Sequence, residues 1–298
     1  MSPQPGACTC HLSRAHHPPL ESLLSFIPGA GGGTCKWTLA QLDPAELAKL
    51  DTAACLITDS AIQWRCKGAV LSYELWRDAT NGLQKLGAND RDVVIPFIDH
   101  AFGLPEKPRL EIHRRGWIAE FIWYLLAEHV GVGVSAGRVL RHLEGPDWHA
   151  TKPGRDGLAI WETGSGTLEF RLWESKQYGG TGSISASVSG ATQQLKDNAR
   201  EYLAQATSIA AAAGPASDAD VRLLCGQLVS LWVANSLKAG IGISVMTSHQ
   251  IPPSRAFSRV QASFPNLSHP GQLEGHISTI GNFPNFADSI RDRAWICL

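Results

Sequence analysis

Residues 156–178, "DGLAIWETGSGTLEFRLWESKQY", constrain the fold more than any other stretch. Two runs rich in apolar residues flank "ETGSGT", whose Gly and Ser supply what a tight hairpin turn requires. Side chains in a strand alternate between faces, so Leu168, Phe170 and Leu172 share one face and Glu169, Arg171, Trp173, Ser175 and Gln177 share the other. The apolar face turns charged at its end, with Glu174 and Lys176. Opposite charges at the tip of an otherwise buried strand are costly unless paired, hydrated or engaged with a metal ion. The tip is therefore an ion pair or a site.

A chain of 298 residues, 44% of them apolar, can hold one large α/β domain or two modest ones. Its 26 basic and 27 acidic residues cancel to a net charge of -1, so no global field draws it to nucleic acid or to an anionic membrane. Any attraction to DNA must be local or supplied by a partner. The most apolar segment, "VRLLCGQLVSLWVANSLKAG", is interrupted by Gln227, Ser230, Asn235 and Ser236 and reads as a core helix ending at Gly240, so no membrane span is expected. The N-terminus lacks a basic start followed by an apolar run, and seven scattered cysteines suit reduced thiols, so a cytoplasmic location is expected. Cys8, Cys10, His11, His16 and His17 lack the paired spacing of a structural zinc site, and "GAGGGTCK" lacks the Gly-Lys-Ser/Thr ending of a phosphate-binding loop. A Gly-x-Ser-x-Gly elbow and a Cys/His pairing for nucleophilic hydrolysis are both missing.

Along the chain, residues 1–35 read as a tail or linker. Asp43 and Pro44 open a short helix, "AACLITDSAIQW" reads as a strand or hairpin, "LSYELWRDATNGLQKLG" as a helix ending at Gly87, and "DVVIPFI" as a further strand. Residues 1–105 thus form an accessory α+β region of unknown role, and 106–298 a second domain. That domain starts with a strong helix, "GWIAEFIWYLLAEHVG", closed by Gly131, with Glu120 on the flank of its apolar stripe. A strand at "GRVLRHLEG", the hairpin, a helix at "ATQQLKDNAREYLAQAT" and an N-cap at Ser217 and Asp220 follow. Strands at "GIGISVMTS" and "EGHISTI" and a helix over Phe286–Trp295 complete it. This order predicts a central mixed sheet with helices on both sides.

The hairpin brings Asp156, at the start of one strand, beside Glu174 and Lys176, at the end of the next. Two carboxylates can hold Mg²⁺ while leaving positions for water and phosphate, and a neighbouring lysine can orient the attacking water or stabilise the anionic transition state. Phosphodiester hydrolysis needs such a set, because charge develops on the phosphoryl oxygens. His149, just before Asp156, reads as a loop residue.

"PGRDG…LWESK" resembles the PD-(D/E)XK nuclease superfamily, whose motif is an Asp at a strand start and Glu-x-Lys on the next strand. The preceding helix resembles that superfamily's first core helix, with Glu120 as the acidic residue it lends to the metal site. The following helix is similar to the Gln-bearing helix of exonuclease-like branches, with Gln194 and Tyr202 as supporting residues. The resemblance implies a three-layer α-β-α restriction-endonuclease-like core. It also implies Mg²⁺, or Mn²⁺ in its place, held by Glu120, Asp156 and Glu174, with Asp156, Glu174 and Lys176 catalytic. Gln177, Lys196 and Arg200 are further candidates for contact with DNA. Size and element order are also similar to the nuclease subunits of Hachiman-type bacterial antiphage defence, which implies a helicase or ATPase partner. The alternative is a non-cleaving subunit that keeps the fold and binds DNA or a partner.

Overall fold

The computed structural model describes residues 18–30, 33–130, 137–148, 156–180, 183–212, 218–248 and 254–298. Cys8, Cys10, His11, His16, His17, Gly131, His149 and Ser217 lie outside them. The elements are, in order, α1 (Leu20–Leu23), β1 (Ser25–Pro28), β2 (Lys36–Leu42), α2 (Leu47–Arg65), α3 (Val70–Thr80), α4 (Ala88–Phe102), β3 (Gly103–Leu104), β4 (Lys107–Pro108) and α5 (Glu111–Val130). Then come β5 (Val139–Leu143), β6 (Gly157–Glu162), β7 (Leu168–Gln177), α6 (Ile184–Ala212), α7 (Ala219–Cys225), α8 (Leu228–Val233), β8 (Ala239–Thr247), α9 (Val260–Ser263), β9 (Leu273–Ile280) and α10 (Phe283–Trp295).

The fold is mixed α/β, built on a seven-stranded sheet ordered β1-β2-β9-β8-β7-β6-β5. Strands β2, β9, β8 and β7 run parallel, while β1, β6 and β5 are antiparallel to their neighbours. Strand alternation then sorts the core. Leu158, Ile160, Phe170, Leu172, Ile241 and Ile243 pack with Leu195, Ala199 and Leu203 of α6. Ala159, Trp161, Trp173 and Met246 project the other way, to α5, α2 and α10. There the rings of Trp123 and Trp173 lie 5.2 Å apart, and Gly242 makes room for the latter: a Cβ at that position would fall 2.2 Å from the indole.

The N-terminal portion joins the same sheet. Strand β2 pairs in parallel with β9, Lys36 against Glu274 through Leu42 against Ile280. Residues expected to be tail thus supply the whole of α1 and β1.

Two expected strands are helices. Residues 53–62 of α2 are buried on every side, so no polar stripe reveals the helical period, and Thr58 fits by hydrogen bonding to the carbonyls of Ala54 and Ile290. "DVVIPFI" lies inside α4, which accommodates Pro96 and starts where Asp90 accepts from the Gly87 amide. Helix α3 stops at Thr80 rather than Gly87, with Gly82 at φ +72° just beyond. The apolar run expected as one core helix breaks at Gly226–Gln227 into α7 and α8, and Asn235 at φ +51° then ends the helical path before β8. Asp218 caps α7, accepting from the amides of Asp220 and Val221. Among the described cysteines Cys35, Cys66, Cys225 and Cys297 are free, whereas Cys55 is disulfide-bonded, so the expectation of reduced thiols throughout does not hold. No helix of the described residues is long and apolar enough to cross a membrane.

Candidate active site at the tip of the hairpin

The turn between β6 and β7 fixes their register, Gly157 against Trp173, which puts Asp156 across from Glu174. Both follow the alternation of Leu158, Phe170 and Leu172 and so rise from the α6 side of the sheet, where the apolar packing ends. Asp156 is buried, and its Oδ2 accepts from the Ser175 backbone amide. Glu174 is 1% exposed, and Lys176 beside it is 32% exposed.

The lysine is held from two sides. Its Nζ donates to Glu174 Oε1 at 2.6 Å and to Gln194 Oε1 of α6 at 2.8 Å. Gln194 Nε2 in turn donates to the Tyr202 hydroxyl at 3.2 Å, which leaves its carbonyl oxygen for the lysine. A chain of polar contacts therefore runs from the carboxyls to α6.

The electrostatics of the two acids are those of a pair that cannot both ionise. Burial first, and the Asp156 carboxylate second, push Glu174 up to about 9. Burial also raises Asp156 to about 6, against the Ser175 amide and Lys176, which favour its charged form. The two carboxyls are within hydrogen-bond reach of each other, which requires one of them to carry a proton. Among the described residues no other group donates to the buried Glu174 Oε2. Glu120 on α5 is raised well above the carboxylate range, first by burial and then by Asp156 and Glu174, so it shares their field.

The hairpin tip thus brings together Glu120, Asp156, Glu174, Lys176, Gln194 and Tyr202. Gln177 is not joined to them: it lies on the opposite face of β7, in register with Met246, and makes no side-chain hydrogen bond among the described residues. Lys196 and Arg200 are exposed on α6, outside the cluster. Sequence reasoning missed Ser175, whose amide holds Asp156, and Asp147, which adds to the field at Glu120. Ser175 was available as the middle residue of Glu-x-Lys; Asp147 had no local signal. Two buried carboxyls, hard oxygen donors with a spare lone pair, and a clamped ammonium can bind a divalent cation and steady an anion beside it. Among the described residues no group of three His, Cys, Asp or Glu side chains is arranged to hold a metal ion. The sequence matches no family model and no curated protein.

Proposed function

We propose that the chain is a metal-dependent nuclease that hydrolyses phosphodiester bonds of DNA, on a three-layer core of the PD-(D/E)XK kind. One observation carries the reading: Asp156 and Glu174 face each other, buried, beside a lysine fixed by Gln194. The residues fit Mg²⁺, or Mn²⁺ in its place, because Glu174 Oε2 is buried with no donor among the described residues and the pair shares a proton where a cation would neutralise both. Asp156 and Glu174 would hold the ion, with Glu120 supporting it from α5. When bound, the ion stabilises charge on the phosphoryl oxygens and lowers the pKa of its water.

The remaining work falls to the chain. Lys176 places a fixed positive charge where the phosphate becomes more negative, and it has no rotamer freedom to lose on doing so, since Glu174 and Gln194 already hold it. Tyr202 fixes the Gln194 amide and so the direction of the ammonium. The near-neutral chain has little general attraction for DNA, which supports a helicase or ATPase partner that delivers the substrate, in the manner of an antiphage defence pair. The second reading, a subunit that keeps the fold and binds without cutting, is favoured by the absence of a three-ligand group among the described residues. Cleavage of plasmid and linear DNA with Mg²⁺ or Mn²⁺, beside EDTA and Lys176→Ala controls, decides between them. Metal-dependent cutting lost in the variant supports the nuclease. No cutting by the wild type, with or without a helicase partner, supports the binding subunit.

A further inference from the structure

On the far side of α6 from the carboxyl pair lies a second feature. A cavity of about 230 Å³ opens between α6, the end of α8 and the loop after α9. Its wall is Trp232, whose indole is braced edge-on by Phe264 at 6.3 Å and 73°. Arg200 reaches its mouth, and Asn235 and Asn266 add side-chain amides. No carboxylate lines it.

Among the described residues Arg200 has no ion-pair partner. The neighbouring acids on α6 are engaged elsewhere, Asp197 by Gln193 and Glu201 by Gln205, and Arg200 itself makes no side-chain hydrogen bond among the described residues. Trp232 is half-buried, so part of its ring meets solvent, and its N–H likewise donates to nothing described. An aromatic platform, a guanidinium and amide groups with no opposing acid make a complementary setting for a planar base attached to a phosphate.

The placement links this cavity to the hairpin tip. Gln194, which holds Lys176, and Arg200 are six positions apart on α6, ~9 Å along the helix axis at the usual rise. Lys196 lies between them, exposed and four residues before Arg200, on the same side of the helix. Lys196 and Arg200 lie roughly 120–160° round α6 from Gln194, so a strand leaving the carboxyl pair crosses over the helix to meet Lys196, Arg200 and Trp232.

We infer that the Arg200–Trp232 cavity is a nucleotide subsite that holds one base and phosphate of a single-stranded segment of the substrate, remote from the bond that is cut. The inference rests on the nuclease reading for its substrate. Its ligand chemistry, base plus phosphate, is shared by a free nucleotide, and the test separates the two.

The measurement is fluorescence anisotropy of a labelled single-stranded oligodeoxynucleotide of about 12 nucleotides, in EDTA so that nothing is cut. Competition with deoxyadenosine monophosphate runs beside it. Arg200→Ala and Trp232→Ala should each weaken oligonucleotide binding about tenfold, as loss of one stacked base or one phosphate contact does. Trp232→Phe should keep most of it, and Arg200→Ala should reduce the salt slope by about 0.7. If Trp232→Ala fails to fold, Asn266→Asp, which puts a negative charge in the exposed mouth, should weaken binding in its place. Binding that is unchanged in all of these variants overturns the inference. So does a mononucleotide that competes fully at the cavity, which would make it a sensor of free nucleotide. Oligonucleotide binding through Arg200 by a protein that never cuts would sink the nuclease reading and leave the subsite standing; cutting with unaltered binding in the variants would do the reverse.

Discussion

Glu174→Gln should change how stability depends on pH, and the size of the change follows from the site. The wild-type carboxyl is raised from 4.5 to about 9, by burial and then by Asp156, and its side chain is only 1% exposed, so little solvent screening discounts the effect. Between these two values the folded chain keeps a proton that the unfolded chain has released. The stability it contributes is therefore complete below pH 4.5 and is lost as pH rises towards 9, at about 1.4 kcal/mol per unit. From pH 6.5 to 8 that is a loss of about 2 kcal/mol. Asp156, raised to about 6, has the same sign but is nearly spent below this window, and His276, lowered to about 3, acts only below its usual 6.5. Glu120 adds to the slope in both proteins. Urea unfolding at half-unit steps across pH 6.5–8, in EDTA, should show the wild type losing about 2 kcal/mol more than Glu174→Gln. Parallel profiles would refute the shared proton and with it the claim that the two carboxyls confront each other.

Three further outcomes are expected. Burial holds the fully enclosed His276 neutral down to about pH 3, so its contribution is present above 6.5 and falls with acidification by up to about 1.4 kcal/mol per unit; His276→Asn should flatten the urea midpoint between pH 6 and 4. Gly242→Ala places a methyl 2.2 Å from the buried Trp173 ring and should cost about 1–3 kcal/mol by the same assay, since neither the strand nor the indole has room to move. Gln194→Ala removes one of the two acceptors that fix Lys176 and should slow metal-dependent cleavage by about 10- to 100-fold while leaving Mg²⁺ affinity unchanged, measured by rate and by calorimetry on the same protein.

What could be read in advance was whatever depended on local period. The hairpin from Asp156 to Lys176 was legible because its alternation and its turn together set the register, and the register alone puts Asp156 across from Glu174. Glu120 was legible as a polar break on the flank of an apolar stripe. Helices α2 and α4 were not: residues 53–62 of the first are buried all round and show no polar stripe, and the second carries Pro96 within "DVVIPFI", a residue that argues against a helix interior. The pairing of β2 with β9 joins segments more than two hundred residues apart, and no local pattern encodes such a partner. The same applies to the Arg200 cavity, whose walls come from three separated segments, and to Cys55, whose bonded state is a matter of the fold around it.

The central claim is that Asp156 and Glu174 hold a divalent cation in the place where they otherwise share a proton. Calorimetric titration with Mg²⁺ at pH 7, in two buffers of different ionisation heat, measures both the binding and the protons released. The account predicts one site in the wild type with release of about one proton, and loss of that site in Asp156→Asn and Glu174→Gln. Equal heats in all three proteins, or binding without proton release, would contradict it.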